Sequence, residues 1–475
     1  MRKLLIVIVL LMSSISVMAA PDSVSLTVYN DNFALIRENR TIKLDKGITS
    51  INIEDVASQI DATSILFKSL TAPNAVSILE QNYKYDLISP ESILNKSIGQ
   101  RITFTNYDDS GKPYKMSGVL LNAAGGGNAV VKTDDGKVVL RPSGQISLEK
   151  MPEGLISKPT LNWLISTEQA GEHKTELSYI TNGIRWNADY VALVNTDDTK
   201  VDLAGWVTMS NQSGATYNDA KLTLMAGDVR RVQPTRNDFY AYNAVGMAGG
   251  GPPPQFQEKS FFEYHMYTME RPTTIANNET KQLSLLNADA ASVKKEMIYD
   301  GRGDWFRNWW YPGRTGEPGG GYDTSTYHKV NVVLTLENSK ANNMGMPLPK
   351  GRVRVYKLDD DGNQQFVGED NIDHTPKDEK IRLYVGDAFD VIGEYKRTNY
   401  SKIADNVIEE SFEVKIKNHK ETPVDVKVLD HAWGDWKITQ SNVESTKKDA
   451  TTIEFPVSIP ANGEKTITYT IRVTW

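Results

Sequence analysis

The sequence contains no cysteine among its 475 residues. This absence excludes a disulfide framework, a thiolate metal site and the cysteine that carries a lipid at a lipoprotein cleavage point. The fold must therefore be stabilised by burial alone. A chain of this length can bury large apolar cores, and ordinary domain sizes lead us to expect about three domains.

Basic residues are not in excess, because 53 lysines and arginines stand against 60 aspartates and glutamates, for a formal net charge of −7. They are not clustered either, so the electrostatic footprint of a nucleic-acid-binding protein is missing and no nucleic-acid partner is predicted. Long apolar runs are absent after the N-terminus, so no transmembrane helix is expected in the mature chain.

The N-terminus has the layout of a secretory signal peptide. Two basic residues precede an apolar run over 4–12, and small residues follow up to Ala19 and Ala20. The apolar run is shorter than the roughly 20 residues that a membrane anchor needs. We therefore predict a signal peptide over 1–19 and an exported mature chain. The periplasm is the expected compartment, with outer-membrane association or secretion as alternatives.

Alternation of apolar and polar residues dominates from Val24 onward, and helical periodicity is almost absent. Such alternation is typical of strands with one face on a core and one face in water. The sequence predicts a mainly β, multi-domain β-sandwich protein with a small SH3-like or Sm-like barrel near the N-terminus. The predicted segments are an N-terminal β segment (20–84), the small barrel (85–152), a first β domain (153–330) with a Gly/Pro-rich loop (234–262) and an aromatic loop (300–327), and a C-terminal β-sandwich (331–475).

The small barrel is predicted from short strands at a spacing of about 10 residues. Ser89 and Pro90 should open a short helix before them, because Ser is a preferred N-cap and Pro suits the first helical position. Turns rich in Asp and Gly separate the strands. The expected strands are 98–104, 116–121, 129–133 and 138–141.

The C-terminal β-sandwich is predicted from strands that each place their apolar side chains on one face. Residues 412–416 alternate and are followed after a turn by 424–428. Residues 453–457 are followed in the same way by 467–473. We interpret each pair as a hairpin.

Three stretches carry a family resemblance. They are LSYITNGIRWNADY at 177–190, AGWV at 204–207 with NDAKL at 218–222, and PLPKG at 347–351 with FVGE at 366–369 and VGDAFD at 385–390. Over roughly residues 155–475 the chain resembles the bacterial family with the uncharacterised domain DUF4139, whose better-named relatives are called mucoidy inhibitor A.

The resemblance implies an envelope-located β protein without accepted catalytic residues. Relatives with the partner domain DUF4140 carry a long coiled coil between their N-terminal strands and the main domain. In this chain the predicted small barrel (85–152) occupies that place, so a role tied to the coiled coil is not implied here.

An aromatic cluster lies in the predicted loop at 300–327, with glycines on either side. Its members are Trp305, Phe306, Trp309, Trp310 and Tyr311. Aromatic side chains form flat stacking platforms for sugars and bury large areas against protein partners. The same residues would also suit a loop that folds back and covers the edge of the sandwich. The structural role is the favoured interpretation of the cluster, and a binding site at these five residues is the candidate function.

Metal ligands are sparse in the sequence. None of the six histidines has the H-E-x-x-H spacing that places two ligands on one face, and no cofactor is predicted. Asp359, Asp361 and Asn363 offer the hard oxygen ligands that calcium takes. They are also ordinary residues of a hairpin turn, which is the favoured interpretation.

Three functions remain open. The first is non-enzymatic binding of an envelope protein or polysaccharide through the aromatic cluster. The second is hydrolysis of envelope polysaccharide or peptidoglycan, with Asp189, Asp219 or Asp390 as acid and base. No G-x-S-x-G or other catalytic motif supports enzymatic activity. The third is a purely structural role in the envelope.

Overall fold

A computed structural model describes residues 15–17, 20–108, 110–123, 129–231, 255–302 and 328–475. Within these ranges the chain is mainly β, as the alternation predicts. The described residues contain one α-helix, α1 (Pro90–Lys96), and short 3-10 turns at Ala62–Ser64 and Lys340–Asn342. None of the described helices is long and apolar enough to cross a membrane.

The strands are numbered in chain order. The first half of the chain contains β1 (Ile15–Val17), β2 (Ser23–Tyr29), β3 (Phe33–Leu44), β4 (Gly47–Glu54), β5 (Leu66–Ser69), β6 (Val76–Lys84), β7 (Arg101–Tyr107), β8 (Pro113–Asn122), β9 (Val130–Thr133), β10 (Val138–Leu140), β11 (Gln145–Leu148), β12 (Thr160–Thr167), β13 (Gly171–Asn182), β14 (Ile184–Val194), β15 (Lys200–Asn211) and β16 (Tyr217–Ala226). The second half contains β17 (Phe256–Phe261), β18 (Tyr264–Met269), β19 (Thr273–Ile275), β20 (Glu279–Asp300), β21 (Lys329–Glu337), β22 (Gly351–Leu358), β23 (Gln364–Ile372), β24 (Lys380–Ala404), β25 (Val407–Asn418), β26 (Val424–His431), β27 (Asp435–Ser441), β28 (Thr446–Lys447), β29 (Thr452–Ile459) and β30 (Gly463–Thr474).

The chain divides into two compact units, which are described separately. Unit 1 comprises Met1–Trp186, Met209–Met225 and Met266–Lys281; unit 2 comprises Asn187–Thr208, Ala226–His265 and Gln282–Trp475. The division falls inside strands β14, β15, β16, β18 and β20. The finer domain boundaries expected from the sequence stay a prediction.

Unit 1 contains a four-stranded sheet and most of an eight-stranded sheet. The first has the order β1-β4-β12-β6, and the part of the second that lies in unit 1 has the order β18-β16-β2-β3-β13-β5, with β19 beside β16. The ring of Phe67 on β5 meets the ring of Trp163 on β12 edge-on, with centroids 4.9 Å apart, so these two sheets pack together. Every second residue of β3 from Ile36 to Leu44 is buried, as expected for one face on a core.

A third, five-stranded sheet of unit 1 lies between residues 101 and 148. Its order is β10-β9-β8-β7-β11, and all its pairs are antiparallel. The predicted helix α1 precedes it, with the Ser89 hydroxyl oxygen accepting the Ser92 N–H at 3.0 Å. Leu94 of α1 joins Phe104 and Val131 in a separate core. No closed barrel is found among the described residues, so the SH3-like barrel is not confirmed.

Unit 2 is built on a 13-stranded sheet. Its strands follow the order β23-β22-β14-β15-β20-β21-β24-β25-β30-β27, while β26 pairs with β20 and β29, and β28 pairs with β29. A large apolar core of this unit lies between β25 and β30 on one side and β26 and β29 on the other. Aromatic rings contribute to this core: the ring centroid of Tyr469 lies 5.4 Å from that of Phe412 and 4.6 Å from that of Phe455.

The predicted C-terminal strands are present, but their partners differ from the two hairpins expected. β25 pairs with β24 and β30, whereas β26 pairs with β20 and β29. The apolar sides of these strands are those predicted, since Val414, Val426, Phe455 and Ile471 are all buried. Alternation fixes which side of a strand faces the core, but it does not fix the neighbouring strand.

Three predicted segments fall largely outside the described residues. Of the predicted signal peptide, only 15–17 is described with its backbone, as β1 paired in parallel with β4. Of the Gly/Pro-rich loop at 234–262, residues 255–262 are described and include β17. Of the aromatic loop at 300–327, only 300–302 is described.

Candidate functional site

A wide groove lies on one face of the unit 2 sheet. It has a volume of about 830 Å³ and is formed by β20, β21, the start of β24, β26 and β29. A few apolar side chains, including Ile298 and Leu429, lie among many polar ones. The charged lining residues are Lys294, Lys380, Arg382, Lys427 and Lys448, and Glu296, Glu337, Asp449 and Glu454.

Strand alternation explains why these side chains share one face. Directly paired residues of neighbouring strands point to the same side of a sheet. Ile298 of β20 pairs with Lys427 of β26, and His431 of β26 pairs with Thr452 of β29. Val428, between the two β26 residues, is buried in the core behind. The same three strands therefore form the groove with one face and pack the core with the other.

Five of the charged side chains in the groove form ion pairs with each other. The Oε1 atom of Glu296 lies 2.6 Å from Lys427 Nζ and 3.3 Å from Lys294 Nζ. The Thr335 hydroxyl donates to Glu296 Oε2 at 3.2 Å. Burial acts to raise the pKa of Glu296, but the hydrogen bonds and charges of the two lysines outweigh it and hold the pKa below its usual value. This carboxylate is therefore ionised at neutral pH and serves as a fixed part of the wall.

His431 lies at the floor of the groove between a carboxylate and a hydroxyl. Its Nε2 atom is 3.0 Å from Asp300 Oδ2, and its Nδ1 atom is 3.4 Å from Thr452 Oγ1. All three residues are buried. A carboxylate, an imidazole and a hydroxyl in this order resemble a base that is oriented beside a nucleophile. The distance from His431 Nδ1 to Thr452 Oγ1, however, exceeds the roughly 2.6–3.2 Å expected for an activated nucleophile. The distances describe a polar network more closely than a catalytic pair.

A second polar cluster lies directly behind the floor, on the core side of the sheet. Asp430 is fully buried, with Oδ1 2.7 Å from Arg302 Nε and Oδ2 accepting the Tyr469 hydroxyl at 2.6 Å. Asp430 Oδ1 also accepts the backbone N–H of His431 at 2.8 Å. Burial and the charge of Asp430 hold the pKa of Tyr469 well above its usual value, so the hydroxyl remains a donor. This cluster joins the ends of β20 and β26.

The predicted aromatic binding residues lie outside the described residues. These are Trp305, Phe306, Trp309, Trp310 and Tyr311. The last described residue before them is Arg302, whose guanidinium belongs to the core-side cluster. The prediction of a binding site at the aromatic residues stays a prediction.

The candidate calcium ligands Asp359, Asp361 and Asn363 lie in the turn between β22 and β23. The Asp359 carboxylate accepts the backbone N–H groups of Asp361 at 3.1 Å and Asn363 at 2.8 Å, and the side-chain amide of Gln365 at 3.1 Å. These bonds are the ones that a turn-forming Asp makes. Among the described residues, no group of three or more His, Asp or Glu side chains has a metal-binding arrangement. Calcium binding at these residues stays an untested alternative to the favoured hairpin turn.

The three carboxylates considered for hydrolysis are in different surroundings. Asp189, largely buried in unit 2, accepts the Thr208 hydroxyl at 2.7 Å. Asp219 is an exposed residue of unit 1 with φ 44. Asp390 is exposed on β24. No hydrogen bond or ion pair between any two of them is found among the described residues.

The groove was not predicted from the sequence. Asp300, His431 and Thr452 are far apart along the chain and meet only because β20, β26 and β29 are neighbours. A weak signal was available in β26, where Val426, Val428 and Asp430 occupy one face. A carboxylate at a position that alternation assigns to the core indicates a buried partner.

The fold and the groove together define the class of this protein. It is a mainly β protein whose second unit carries a polar groove on a sheet face. The model of the family described as a domain of unknown function, DUF4139, matches residues 175–475, which is more than half of the chain. The chain therefore belongs to the DUF4139 family. No curated protein matches it.

Proposed function

We propose that this chain is an exported, non-enzymatic binding module of the bacterial cell envelope, and that unit 2 holds a polar partner in the groove. The partner is an envelope polysaccharide or a polar protein segment. Export is supported by the signal-peptide pattern at 1–19, with its short apolar run and small residues. Envelope location is supported by the resemblance to relatives of that kind.

The observation that carries the proposal is the groove itself. Its volume of about 830 Å³ lies within the range of about 300–1,000 Å³ that ligand sites occupy. Hydroxyl, amide, ammonium and carboxylate groups all contribute to its lining, so it offers both donors and acceptors. Such a lining complements a ligand rich in hydroxyl or backbone polar groups better than an apolar one.

Binding is favoured over catalysis because five of the nine charged side chains that line the groove form ion pairs with each other. Glu296 is held by Lys427 and Lys294, and Glu454 lies 3.4 Å from Lys448. A general acid or base needs a pKa near the working pH, whereas the pKa of Glu296 is lowered. Fixed ion pairs keep a wall in shape and present directed hydrogen bonds to a ligand.

The test compares two lysines of the same strand. Lys380 is exposed and lines the groove, whereas Lys396 is exposed on β24 and is not part of the lining. The processed protein and the variants Lys380→Ala and Lys396→Ala would be immobilised and exposed to native envelope extract, with cross-linking, mass spectrometry and glycan analysis of what is retained. Loss of one charged contact should lower retention roughly tenfold for Lys380→Ala, which corresponds to about 1.4 kcal/mol. Equal retention by the two variants would contradict the proposal.

Hydrolysis of envelope polymers is the second candidate function. The observation in its favour is the Asp300, His431 and Thr452 network at the groove floor, where Asp300 orients the imidazole. Peptidoglycan and polysaccharide substrates would be incubated with the processed protein and with His431→Asn. Turnover that depends on His431 would support an enzyme. If turnover and ligand retention are both absent, a structural envelope component is the remaining function.

A further inference from the structure

A second cavity lies in unit 1, beside the segment that precedes β2. It has a volume of about 320 Å³, and Ala20 and Pro21 form part of its wall. The charged residues of the wall are Glu38, Arg40, Glu54, Asp55 and Lys158. The cavity is thus a polar chamber at the place where the predicted mature chain begins.

Two of the three carboxylates in this cavity already have a cation. Arg40 donates to Glu38 Oε2 from Nε at 2.9 Å and from Nη2 at 2.7 Å, and both residues are buried. Asp55 Oδ2 lies 2.9 Å from Lys158 Nζ. Glu54 is the third carboxylate, so the wall holds one negative charge more than it holds positive charges.

The chain is anchored close to the cavity on its C-terminal side. The backbone N–H of Asp22 donates to the Asn39 carbonyl at 2.8 Å, and the Thr41 hydroxyl donates to Asp22 Oδ2 at 2.9 Å. Ala20 is two residues away, a distance of at most about 7 Å along an extended chain. The first residue of the mature chain therefore cannot leave the neighbourhood of the cavity without breaking these contacts.

We propose that, after cleavage between Ala19 and Ala20, the new α-ammonium group of Ala20 occupies this cavity and pairs with the carboxylates of Glu54 and Asp55. The inference rests on the proposed export. Hydrolysis of the peptide bond adds one water, leaving a carboxylate on Ala19 of the released leader and an ammonium on Ala20. The uncleaved chain has only a neutral peptide N–H at this position.

Processing thereby supplies the positive charge that the cavity lacks. With the ammonium present, three carboxylates of the wall face three cations. Opposite charges within about 4–6 Å stabilise each other's ionised forms, and more so in a partly enclosed site than in open water. The cavity is thus a binding site for the mature N-terminus of the same chain.

The experiment measures how fast the Ala20 amine reacts. The full-length gene product is expressed with its leader, and the processed protein is purified and its intact mass determined. An amine-acylating reagent is then added at about pH 7, where a free α-amino group with its usual pKa of about 7.7–8.0 reacts before lysine does. The test variant is Glu54→Gln with Asp55→Asn, and the control is Asp45→Asn, which removes an exposed carboxylate of unit 1 that does not line the cavity.

We expect the Ala20 amine of the wild-type protein and of Asp45→Asn to react roughly tenfold more slowly than that of the double variant, because a paired ammonium is protonated and shielded. The single variant Glu54→Gln repeats the test with the Asp55–Lys158 pair intact and should give an intermediate rate. Asp55 has a φ of 66°, a left-handed conformation that Asn adopts more readily than most residues, so Asp55→Asn should not strain the backbone.

The possible negative results can be distinguished from one another. A mature chain that begins elsewhere than Ala20, or a leader that is not removed, overturns the inference at its premise. A chain that begins at Ala20 and reacts equally fast in all variants overturns the pairing while export stands. Ligand retention by the groove of unit 2 is measured separately, so its outcome is independent of this result.

Discussion

The carboxylate of Asp430 is the point where the second unit should be most sensitive to a small change. It is 0% exposed and receives the Arg302 guanidinium, the Tyr469 hydroxyl and the His431 backbone N–H. The substitution Asp430→Asn keeps the shape of the side chain but removes its charge and turns one acceptor into a donor. A donor would then oppose either Arg302 or Tyr469.

The magnitude follows from these contacts. Removing one partner of a buried ion pair costs about 3–5 kcal/mol. The Arg302 side chain is 25% exposed, so water partly compensates it and the lower end of that range applies. We therefore expect Asp430→Asn to lower the free energy of unfolding of unit 2 by about 3 kcal/mol.

The assay is urea unfolding, followed by near-ultraviolet circular dichroism. The matched control is Asp425→Asn, an exposed carboxylate on the same strand, which should change stability by no more than about 0.5 kcal/mol. If both variants lose less than about 1 kcal/mol, Asp430 does not hold the cluster together and the reasoning is refuted.

Two further predictions concern backbone approach and pH. A Cβ atom at Gly393 would clash with the ring of the buried Tyr299, so Gly393→Ala should lower the free energy of unfolding by about 1–3 kcal/mol in the same assay. Little change would show that the ring can move. Burial and the nearby Lys350 lower the pKa of His374 in the folded protein. The unfolded chain therefore binds a proton below about pH 6.5 that the folded chain resists, so stability should fall as the pH drops from about 6.5 to 5. In His374→Gln that part of the pH dependence should disappear; an unchanged slope would exclude His374 as its source.

The arrangement of strands could be predicted in part. In β25 the sequence correctly places Phe412, Val414 and Ile416 on the buried side, because a period of two residues is a direct consequence of strand geometry. The partners of β25 could not be predicted in this way. In the structure β25 pairs with β24 and β30. A hairpin between β25 and β26 would bury the same side chains, so alternation does not distinguish the two arrangements.

The groove could be predicted even less. Lys427 and Lys380 look like ordinary solvent-facing residues of two separate strands, and they share a surface only because β26 follows β20 and β24 follows β21 in the sheet. In the sequence, His431 and Thr452 are ordinary polar residues of two separate strands, and only the pairing of β26 with β29 brings them together. Chemistry that depends on the neighbours of a strand cannot be seen in its own sequence.

The adjacent residues Asp430 and His431 allow stability and function to be separated experimentally. Because neighbouring residues of a strand point to opposite faces, Asp430 belongs to the core cluster and His431 to the groove. Asp430→Asn should therefore lower stability while the protein that remains folded retains its ligand. Lys380→Ala should lower retention while leaving the unfolding midpoint unchanged, since its side chain is exposed. If Asp430→Asn abolished retention at urea concentrations where unit 2 is still folded, the two faces would be coupled through the Asp430 bond to the His431 backbone, and the groove would depend on the core behind it.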